Sequence, residues 1–576
     1  MASCLGLFIA LSVLFVLFFV ILGAVIAGAS GSKEPVKVAD HSILKISFNR
    51  PIIDQEKNDP FSGLDLGPLS REASISLRQI THSIQAAKTD PDIKALYLDF
   101  SAAGQYPGMA SLNEIKSAIE DFKQSKKKVI TNGAIYTKKE TYLSAGADHI
   151  ILHPKGNYIL QGMTSNGMFY KGLLDKLDIQ VELIKKGNYK GAGEVFTREN
   201  YSDYNREQVE SFLGNIYQDY LQSVSKGRKI PAENLDQWAK NLSISNPEMA
   251  KKMGLVTDLL YQDQVDSLLG KIAGESDPDL VEVHDYAFKI AQEEERSDAK
   301  IAVIYAEGEI VSGKNSGGYL GDETLVEAIR EAAENDRIKA VVLRVNSPGG
   351  SALASDVMER ELEILKKKKT LIVSMGDVAA SGGYMIAAPG ERIFAEPNTI
   401  TGSIGVFATV PHTGNFFKNK LGITFDRIST APNSDIGNLN HPLTDAQRAW
   451  FQNSVNQTYD DFVGMVAKHR KMPLKKAYEI AEGRVYSGIE AKQIGLIDEF
   501  GGLEEAIRYA AKKAGISNYE IKSFPEVTEG FAAVLEELSA SAKMAWKGPE
   551  AWMMERVQTL FRTPVQTRMP MDITIE

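Results

Sequence analysis

The sequence is poor in the residues that form disulfides and bind metals. Its 576 residues include one cysteine, Cys4, and eight histidines. A single cysteine excludes an intramolecular disulfide and gives no indication of the redox compartment. The histidines are scattered, and no cysteine–histidine cluster has the spacing of zinc ligands. We therefore expect no disulfide, no metal site and no cofactor.

The sequence also lacks an excess of positive charge. It has 65 lysines and arginines against 75 aspartates and glutamates, a formal net charge of −10. Nucleic-acid-binding proteins carry a basic face, so this balance argues against a nucleic-acid partner. With 43% hydrophobic and 24% charged residues the composition is globular. The length exceeds that of one ordinary domain, so we expect two or more cores.

A long uncharged stretch, Cys4–Gly28, lies at the N-terminus and contains only apolar or small residues. About 25 helical residues span roughly 37 Å, enough to cross a hydrocarbon core of about 30 Å. The stretch is longer than a typical signal-peptide core and has no basic residue before it, which favours a transmembrane anchor over a cleaved signal. Lys33 and Lys37 follow it, so the positive-inside rule alone would place the body in the cytoplasm.

The remaining chain alternates strand-like and helix-like segments, and this pattern occurs twice. DPDIKALYLDF at Asp90–Phe100 returns as NDRIKAVVLRV at Asn335–Val345, and MAKKMGLVTDLL at Met249–Leu260 returns as EAKQIGLIDEF at Glu490–Phe500. The alternation predicts parallel sheets covered by helices, and the ordered matches predict a tandem duplication. The expected divisions are an anchor and tether at 1–30, a first repeat at 41–291, a second repeat at 299–525 and a helical C-terminal segment at 526–576.

A serine in the second repeat has the surroundings of a nucleophile. Ser381 lies in DVAASGGYMIAAP, Asp377–Pro389, between a predicted strand at Thr370–Met375 and a helix-compatible stretch at Tyr384–Ala388. Small residues at such a turn leave a hydroxyl exposed and the backbone approachable. A second glycine-rich turn, NSPGGS at Asn346–Ser351, can aim N–H groups at an anionic oxygen. Since neighbouring parallel strands end at one edge of a sheet, both turns are expected at one site.

The residues alone do not identify the base that would activate this serine. His412 is the nearest histidine in sequence, but its context suggests no role. A buried lysine would also serve, because desolvation favours its neutral form. Spacing does not select one lysine among many. The pattern S-x-x-K carries no weight at Ser125–Lys128, Ser223–Lys226 and Ser297–Lys300, because these stretches are charged.

Four motifs together resemble the signal peptide peptidase A family, also called protease IV, in its long duplicated bacterial form. They are RVNSPGGS at Arg344–Ser351, DVAASGGYMIAAP at Asp377–Pro389, TGSIGVF at Thr401–Phe407 and KGNYKGAGEVF at Lys186–Phe196. The resemblance covers nearly the whole chain. It implies an α/β fold in which a crotonase/ClpP-like βαβ superhelix unit is duplicated in tandem, preceded by one transmembrane helix.

The same resemblance implies a serine–lysine dyad formed across the repeats. The serine of the family's ASGGY motif is Ser381 here, and the lysine of its GxYK motif is Lys190. When the repeats are registered, Ser381 falls opposite Lys138 and Lys190 falls opposite Ser434. Each repeat thus retains one member of the dyad, and neither is expected to act alone.

Further residues follow from the resemblance. The oxyanion hole would use the N–H of Gly350 or Gly349 together with that of Gly382. Ser403 either orients the lysine or the substrate, or forms a structural turn. Tyr384 and Met385 are expected in the core. For the C-terminal stretch 530–576, covering the site, packing between subunits and touching the membrane stay open, with subunit packing favoured.

The resemblance implies a membrane-anchored serine endopeptidase that degrades cleaved signal peptides through an acyl-enzyme. It implies a bacterial inner-membrane protein with one span and a periplasmic body, against the charge bias at the N-terminus. The expected partners are signal peptides and other apolar peptides, lipid around the N-terminal helix, and further copies of the chain in a homotetramer. The alternatives are a crotonase-like acyl-CoA enzyme and an inactive membrane scaffold.

Overall fold

A computed structural model describes residues 38–55, 74–102, 104–293, 297–316, 318–526 and 565–569. The predicted anchor at Cys4–Gly28 and most of the C-terminal segment lie outside these ranges. Among the residues that are described, no helix combines the length and apolar character needed to cross a membrane.

The first repeat is built on a parallel sheet of six strands. In spatial order the strands are Asp258–Leu259, His149–Tyr158, Lys128–Tyr136, Ile93–Phe100, Ser42–Ser47 and Leu280–Glu282. Its helices are Leu77–Thr89, Met109–Phe122, Lys138–Ser144, Lys171–Lys176, Glu194–Thr197, Asp203–Arg228, Ala232–Lys240, Pro247–Lys252, Gln262–Ala273 and Val283–Glu293. A short parallel pair, Ile52–Ile53 and Ile75–Ser76, lies apart from the sheet.

The second repeat reproduces the same strand order, which agrees with the predicted duplication. Its six corresponding strands are Glu499–Phe500, Arg392–Ala395, Thr370–Ala380, Ile338–Ser347, Lys300–Glu307 and Glu520–Phe524. Two more strands, Ile400–Gly402 and Val485–Ser487, extend this sheet beyond the end of Thr370–Ala380. Its helices are Asp322–Glu334, Ala352–Lys366, Gly382–Ala387, Gly414–Leu421, Asp445–His469, Leu474–Ile480, Gly488–Ile494 and Leu503–Ala514.

Helices cover both faces of the second sheet, as the predicted βαβ pattern requires. Along the strand Lys300–Glu307, Ile301 and Val303 join one hydrophobic core while Ala302 and Ile304 join another. Side chains alternate between the faces of a strand, so both faces must be buried. This explains why the strands read as nearly continuous apolar runs in the sequence.

A third sheet joins the repeats, and no sequence pattern indicated it. Gln180–Lys186 of the first repeat pairs antiparallel with Val406–His412 of the second over seven residue pairs. The sheet continues through Val565–Arg568, Gly349–Ser351, Glu309–Val311 and Tyr319–Gly321. The cores also interpenetrate, since Ile184 packs in the core of the second repeat. Ala380, Ile400 and Val485 pack in the core of the first. The repeats are therefore one packed body at this edge.

A buried ionic cluster adds a second junction between the repeats. The Arg344 guanidinium of the second repeat donates to Asp54 Oδ1 at 2.9 Å and to Glu114 Oε1 at 2.7 Å, both in the first repeat. Nearby, Asn113 Nδ2 donates to Glu396 Oε2 at 2.6 Å, again across the junction. Burial raises the pKa of Glu114 to about 7 and that of Glu396 to about 8.

Candidate active site

Ser381 stands at the sharp turn that the sequence predicts. The strand Thr370–Ala380 ends directly before it, and the helix Gly382–Ala387 begins directly after it. Its φ is 57° and its ψ is −116°, a conformation that L-residues adopt rarely. The Ser381 N–H donates to Gly402 O at 2.8 Å, which helps to hold this backbone in place. Strained backbone of this kind concentrates at functional sites.

Lys190 reaches the serine from the other repeat. It follows the strand Gln180–Lys186, which the third sheet fixes against Val406–His412. The Lys190 Nζ lies 2.7 Å from Ser381 Oγ. Both residues are fully buried, so the serine hydroxyl is not exposed, contrary to what the small residues of its turn predict. Lys185 Nζ donates to the Lys190 carbonyl at 3.2 Å and also pairs with Glu194. The structure thus brings together the two residues that the resemblance implied as a dyad.

Ser403 makes two further contacts with the lysine. Its carbonyl oxygen and its Oγ each lie 3.0 Å from Lys190 Nζ. A neutral amine has two N–H groups and one lone pair. The carbonyl can only accept, so it takes one N–H, and Ser403 Oγ can take the other. The lone pair then remains for the Ser381 hydroxyl proton.

The electrostatics of the site favour that neutral amine. Complete burial lowers the pKa of Lys190 well below its ordinary value, because removal from water destabilises the ammonium form. A lysine can act as a general base only when it is unprotonated. The environment therefore prepares Lys190 to accept a proton from its hydrogen-bonded serine.

The glycine-rich turn at Gly349–Ser351 lies against the nucleophile's turn. Gly349 has a φ of 93°, and a Cβ added there would lie 2.6 Å from Gly382 N, so no side chain fits. The Gly349 N–H donates to Ser347 Oγ at 3.2 Å. The proposed oxyanion donors are therefore close neighbours, as their place at one sheet edge predicts. Tyr384 and Met385 are buried in the core, as expected.

A short strand of the C-terminal segment lies beside the glycine-rich turn. Val565–Arg568 runs antiparallel to Gly349–Ser351, and Met569 N donates to Pro348 O at 2.8 Å. Thr567 is fully buried, and its Oγ1 donates to Gly350 O at 3.3 Å. The described part of the segment is thus a strand at the candidate site rather than a helix. The stretches with helical spacing in this segment lie outside the described residues.

Two positions singled out in the sequence, His412 and Lys138, lie in other surroundings in the structure. The ring nitrogens of His412 lie 2.7 Å from Glu182 Oε1 and 3.0 Å from His441 O, so this histidine has hydrogen-bond partners other than Ser381. In the first repeat a helix begins at Lys138 with Thr137 as its N-cap. Ser381 is likewise the N-cap of its helix, so the structure aligns Thr137 with Ser381. The sequence register aligns Lys138 with Ser381, one residue later, and neither residue is a serine.

One group of described side chains has the composition of a metal site. Ligand atoms of Glu359, Glu363 and His469 lie within 4.8 Å of one another. His469 Nε2 contacts Glu359 Oε1 at 2.6 Å, and Lys468 pairs with Glu363. These contacts are those of an ordinary ion-pair cluster, and none of its members touches the serine or the lysine.

Asp377 is a residue whose role the sequence did not reveal. It lies four positions before Ser381, yet its carboxylate accepts hydrogen bonds from the first repeat. The donors are Gly108 N at 3.1 Å, Ala110 N at 3.0 Å and Ser111 N at 3.0 Å. Asp377 therefore caps the helix Met109–Phe122 across the junction. No local signal could have found this, because the donors are more than 260 residues away in the chain.

Comparison with known proteins agrees with this architecture. Peptidase family S49 matches the chain twice, over residues 121–274 and 363–517. The chain belongs to peptidase family S49. Protease 4 of Haemophilus influenzae is 33% identical over 518 residues, which cover 87% of this chain and 83% of that protein. Serine protease SPPA, chloroplastic, of Arabidopsis thaliana is 34% identical over 491 residues, covering 83% and 70%.

A shorter S49 relative is also similar. The putative signal peptide peptidase SppA of Enterococcus faecium is 30% identical over 274 residues, which are 47% of this chain and 78% of that protein. The resemblance drawn from the four motifs is confirmed, and so is the duplication of the family domain. Family membership and these relatives support a serine peptidase.

Proposed function

We propose that this S49 protein is a membrane-anchored serine endopeptidase with Ser381 as nucleophile and Lys190 as general base. The observation that carries the proposal is the 2.7 Å contact between Lys190 Nζ and Ser381 Oγ inside a fully buried site. Since the two residues come from different repeats of one chain, the dyad is completed within that chain.

The reaction begins with attack of Ser381 Oγ on the scissile carbonyl carbon. As this bond forms, the hydroxyl proton moves to Lys190 Nζ, and the carbonyl oxygen becomes an oxyanion. The N–H of Gly382, together with that of Gly350 or Gly349, stabilises that charge. The Gly349 N–H donates to Ser347 Oγ and Gly350 pairs with Thr567 in the third sheet, so either donor would exchange its present partner for the oxyanion.

Collapse of the intermediate breaks the C–N bond, and Lys190 returns its proton to the leaving amine. Water then attacks the acyl-enzyme, with Lys190 taking one of its protons, and a second collapse restores the Ser381 hydroxyl. Ser403 keeps the amine oriented through both half-reactions by its carbonyl and hydroxyl contacts.

The proposed substrate is a peptide in extended conformation. The slot between Gly349–Ser351 and Val406–His412 holds Val565–Arg568 as an antiparallel strand on both sides. A substrate peptide would add to the sheet in the same way, with main-chain hydrogen bonds giving affinity. The name of the Enterococcus faecium relative supports signal peptides as the substrate class.

The proposed location is the bacterial inner membrane, with one span at Cys4–Gly28 and a periplasmic body. The apolar length of that stretch supports the span. The anchor would keep the enzyme beside the apolar peptides it cleaves.

The proposed homotetramer is supported by two stretches that the duplication relates to the strands joining the repeats. In the registered repeats, 424–430 corresponds to Gln180–Lys186 and 162–168 corresponds to Val406–His412. Neither stretch forms a strand within the described part of the chain. Ile428 is 97% exposed. Successive copies would pair these stretches by repeating the contact that already joins the repeats.

The test is hydrolysis of a fluorogenic apolar peptide ester by the full chain in detergent. We expect Ser381→Ala and Lys190→Met each to abolish hydrolysis and labelling by a fluorophosphonate probe. Lys127→Met is the matched control, because it removes a partly buried lysine of the first repeat whose Nζ donates to the carbonyls of Ala87 and Asp90. Full activity of Lys190→Met with an intact fold would show that the base lies elsewhere. An acyl-CoA enzyme or an inactive scaffold would not label.

A further inference from the structure

The loop that carries Lys190 rests on one turn of the second repeat, Glu482–Arg484. The Tyr189 N–H donates to Glu482 O at 2.9 Å. The Asn188 N–H donates to Glu482 Oε2 at 3.0 Å. These bonds fix the two residues that directly precede Lys190.

The same turn is bonded to the loop that contains Ser403. The Ser403 N–H donates to Arg484 O at 2.7 Å, and the Gly483 N–H donates to Ile404 O at 2.8 Å. One turn therefore connects the lysine's loop with the loop that holds the lysine's amine. Arg484 strengthens this connection, because its guanidinium lies 4.9 Å from the centre of the Tyr189 ring.

Gly483 leaves the space that the lysine occupies. A Cβ added to Gly483 would lie 2.6 Å from Lys190 Cβ and 2.7 Å from Lys190 N, distances that real Cβ atoms do not show. On another side, a Cβ added to Gly405 would lie 3.2 Å from Lys190 Cδ. The lysine stem thus runs between two glycines, and this close packing keeps water away from it.

We propose that Glu482 and Gly483 are positioning residues for the base, which set the distance and the burial of Lys190 Nζ relative to Ser381. Neither residue contacts the reacting atoms, so both act through Lys190. This inference rests on the proposed dyad, since a fixed lysine matters only if it is the base. In this view the turn Glu482–Arg484 of the second repeat aligns Lys190 of the first.

The decisive variant is Gly483→Ala, compared with Gly495→Ala. Both glycines have positive φ, 75° and 86°, so alanine meets similar backbone strain at either position. Nothing lies within 4 Å of a Cβ at Gly495, whereas a Cβ at Gly483 meets Lys190. The difference between the two variants therefore reports the contact with the lysine.

We expect Gly483→Ala to lower kcat by about 100-fold, the order of loss that a displacement of about 1 Å causes. Gly495→Ala should leave kcat unchanged. Displacement also lets water reach the amine, so the pKa of Lys190 rises toward its ordinary value. The acid limb of the kcat–pH profile should then move to higher pH, which a general loss of stability would not cause.

A second pair of variants tests the side-chain bond from Glu482 and does not depend on Gly483. Glu482→Gln keeps an oxygen that can accept the Asn188 N–H, and we expect it to retain kcat and the wild-type profile. Glu482→Ala removes the acceptor at the same positive φ of 55° and should lower kcat and shift the acid limb. Rescue by glutamine would thus distinguish positioning from a structural role.

The proposal is overturned if Gly483→Ala and Glu482→Ala, folded by circular dichroism, keep the wild-type kcat and acid limb. If Gly483→Ala does not fold, an unchanged profile for Glu482→Ala alone overturns the role of Glu482 and of the turn. Failure of the underlying dyad has a different signature, because Lys190→Met would then retain activity in the otherwise wild-type chain.

Discussion

Glu396 offers a quantitative prediction at the junction between the repeats. Its side chain is 4% exposed, and its carboxylate has an amide donor, Asn113 Nδ2 at 2.6 Å. Burial is the main cause that raises its pKa from 4.5 to about 8, and the nearby Glu114 carboxylate adds to the shift. We predict that Glu396→Gln stabilises the protein, because glutamine keeps the shape and has no proton to lose.

The sign and size follow from proton linkage. The unfolded chain releases this proton near its ordinary pKa of 4.5, while the folded chain keeps it until about pH 8. Folding is therefore progressively opposed as pH rises between these values, and the cost is complete above the folded pKa. A shift of 3.5 pKa units corresponds to about 5 kcal/mol. The gain from glutamine should be small at about pH 5 and approach that value at about pH 9.

Urea unfolding followed by tryptophan fluorescence at both pH values measures this gain. Glu479→Gln is the control, since it makes the same change at an exposed glutamate of the same repeat. An equal gain for Glu396→Gln at both pH values would refute the reasoning, because a proton-linked cost must grow with pH. A loss of stability at high pH would show that the carboxylate is charged and well compensated in the fold.

Three further predictions concern the site and its support. Ending the chain at residue 564 removes Val565–Arg568 from the slot, so kcat/KM for a short peptide ester should rise; an unchanged value would mean that substrate does not use this slot. In the wild-type enzyme, kcat should fall as the pH drops, because protonation of Lys190 removes the base. Lys190→Met should abolish the activity and with it the acid limb of the kcat–pH profile. Asp377→Ala should lower the free energy of unfolding by about 1–2 kcal/mol through the lost cap on Met109–Phe122, with Asp377→Asn recovering part of it, as urea unfolding would show.

More of the fold than of the candidate site could be predicted from the sequence. Repeated βαβ segments predicted the two sheets because apolar periodicity is a local property. The sequence predicts that the strand beginning at Thr370 ends at Met375, whereas it extends to Ala380, because all residues of Gly376–Ala380 except Val378 have little strand preference. Neighbouring strands and the Ser381 turn hold that stretch extended. Amphipathic spacing in the sequence begins only at Leu112, whereas the helix begins at Met109, where Asp377 caps it from the other repeat.

The lysine is the clearest case of a residue that no local pattern could select. Lys190 and Ser381 are 191 positions apart in the chain, and their contact depends on antiparallel pairing between different repeats. Only the family motif indicated Lys190 in advance. The turn at Glu482–Arg484 was missed for the same reason, because its role is defined by what packs on it. Asp54 was missed as well, because its buried contact with Arg344 depends on the second repeat.

The pairing of Gln180–Lys186 with Val406–His412 has a consequence for the life of the chain before it is complete. Synthesis from the N-terminus delivers the lysine first and the serine almost two hundred residues later. Under the proposed mechanism, a nascent or truncated chain that stops within the first repeat holds Lys190 without the serine that it would activate. Cleavage would begin only when the second half has been made and has added its strand to the first. The division of the proposed site between the repeats would thus prevent an unfinished chain from attacking its surroundings.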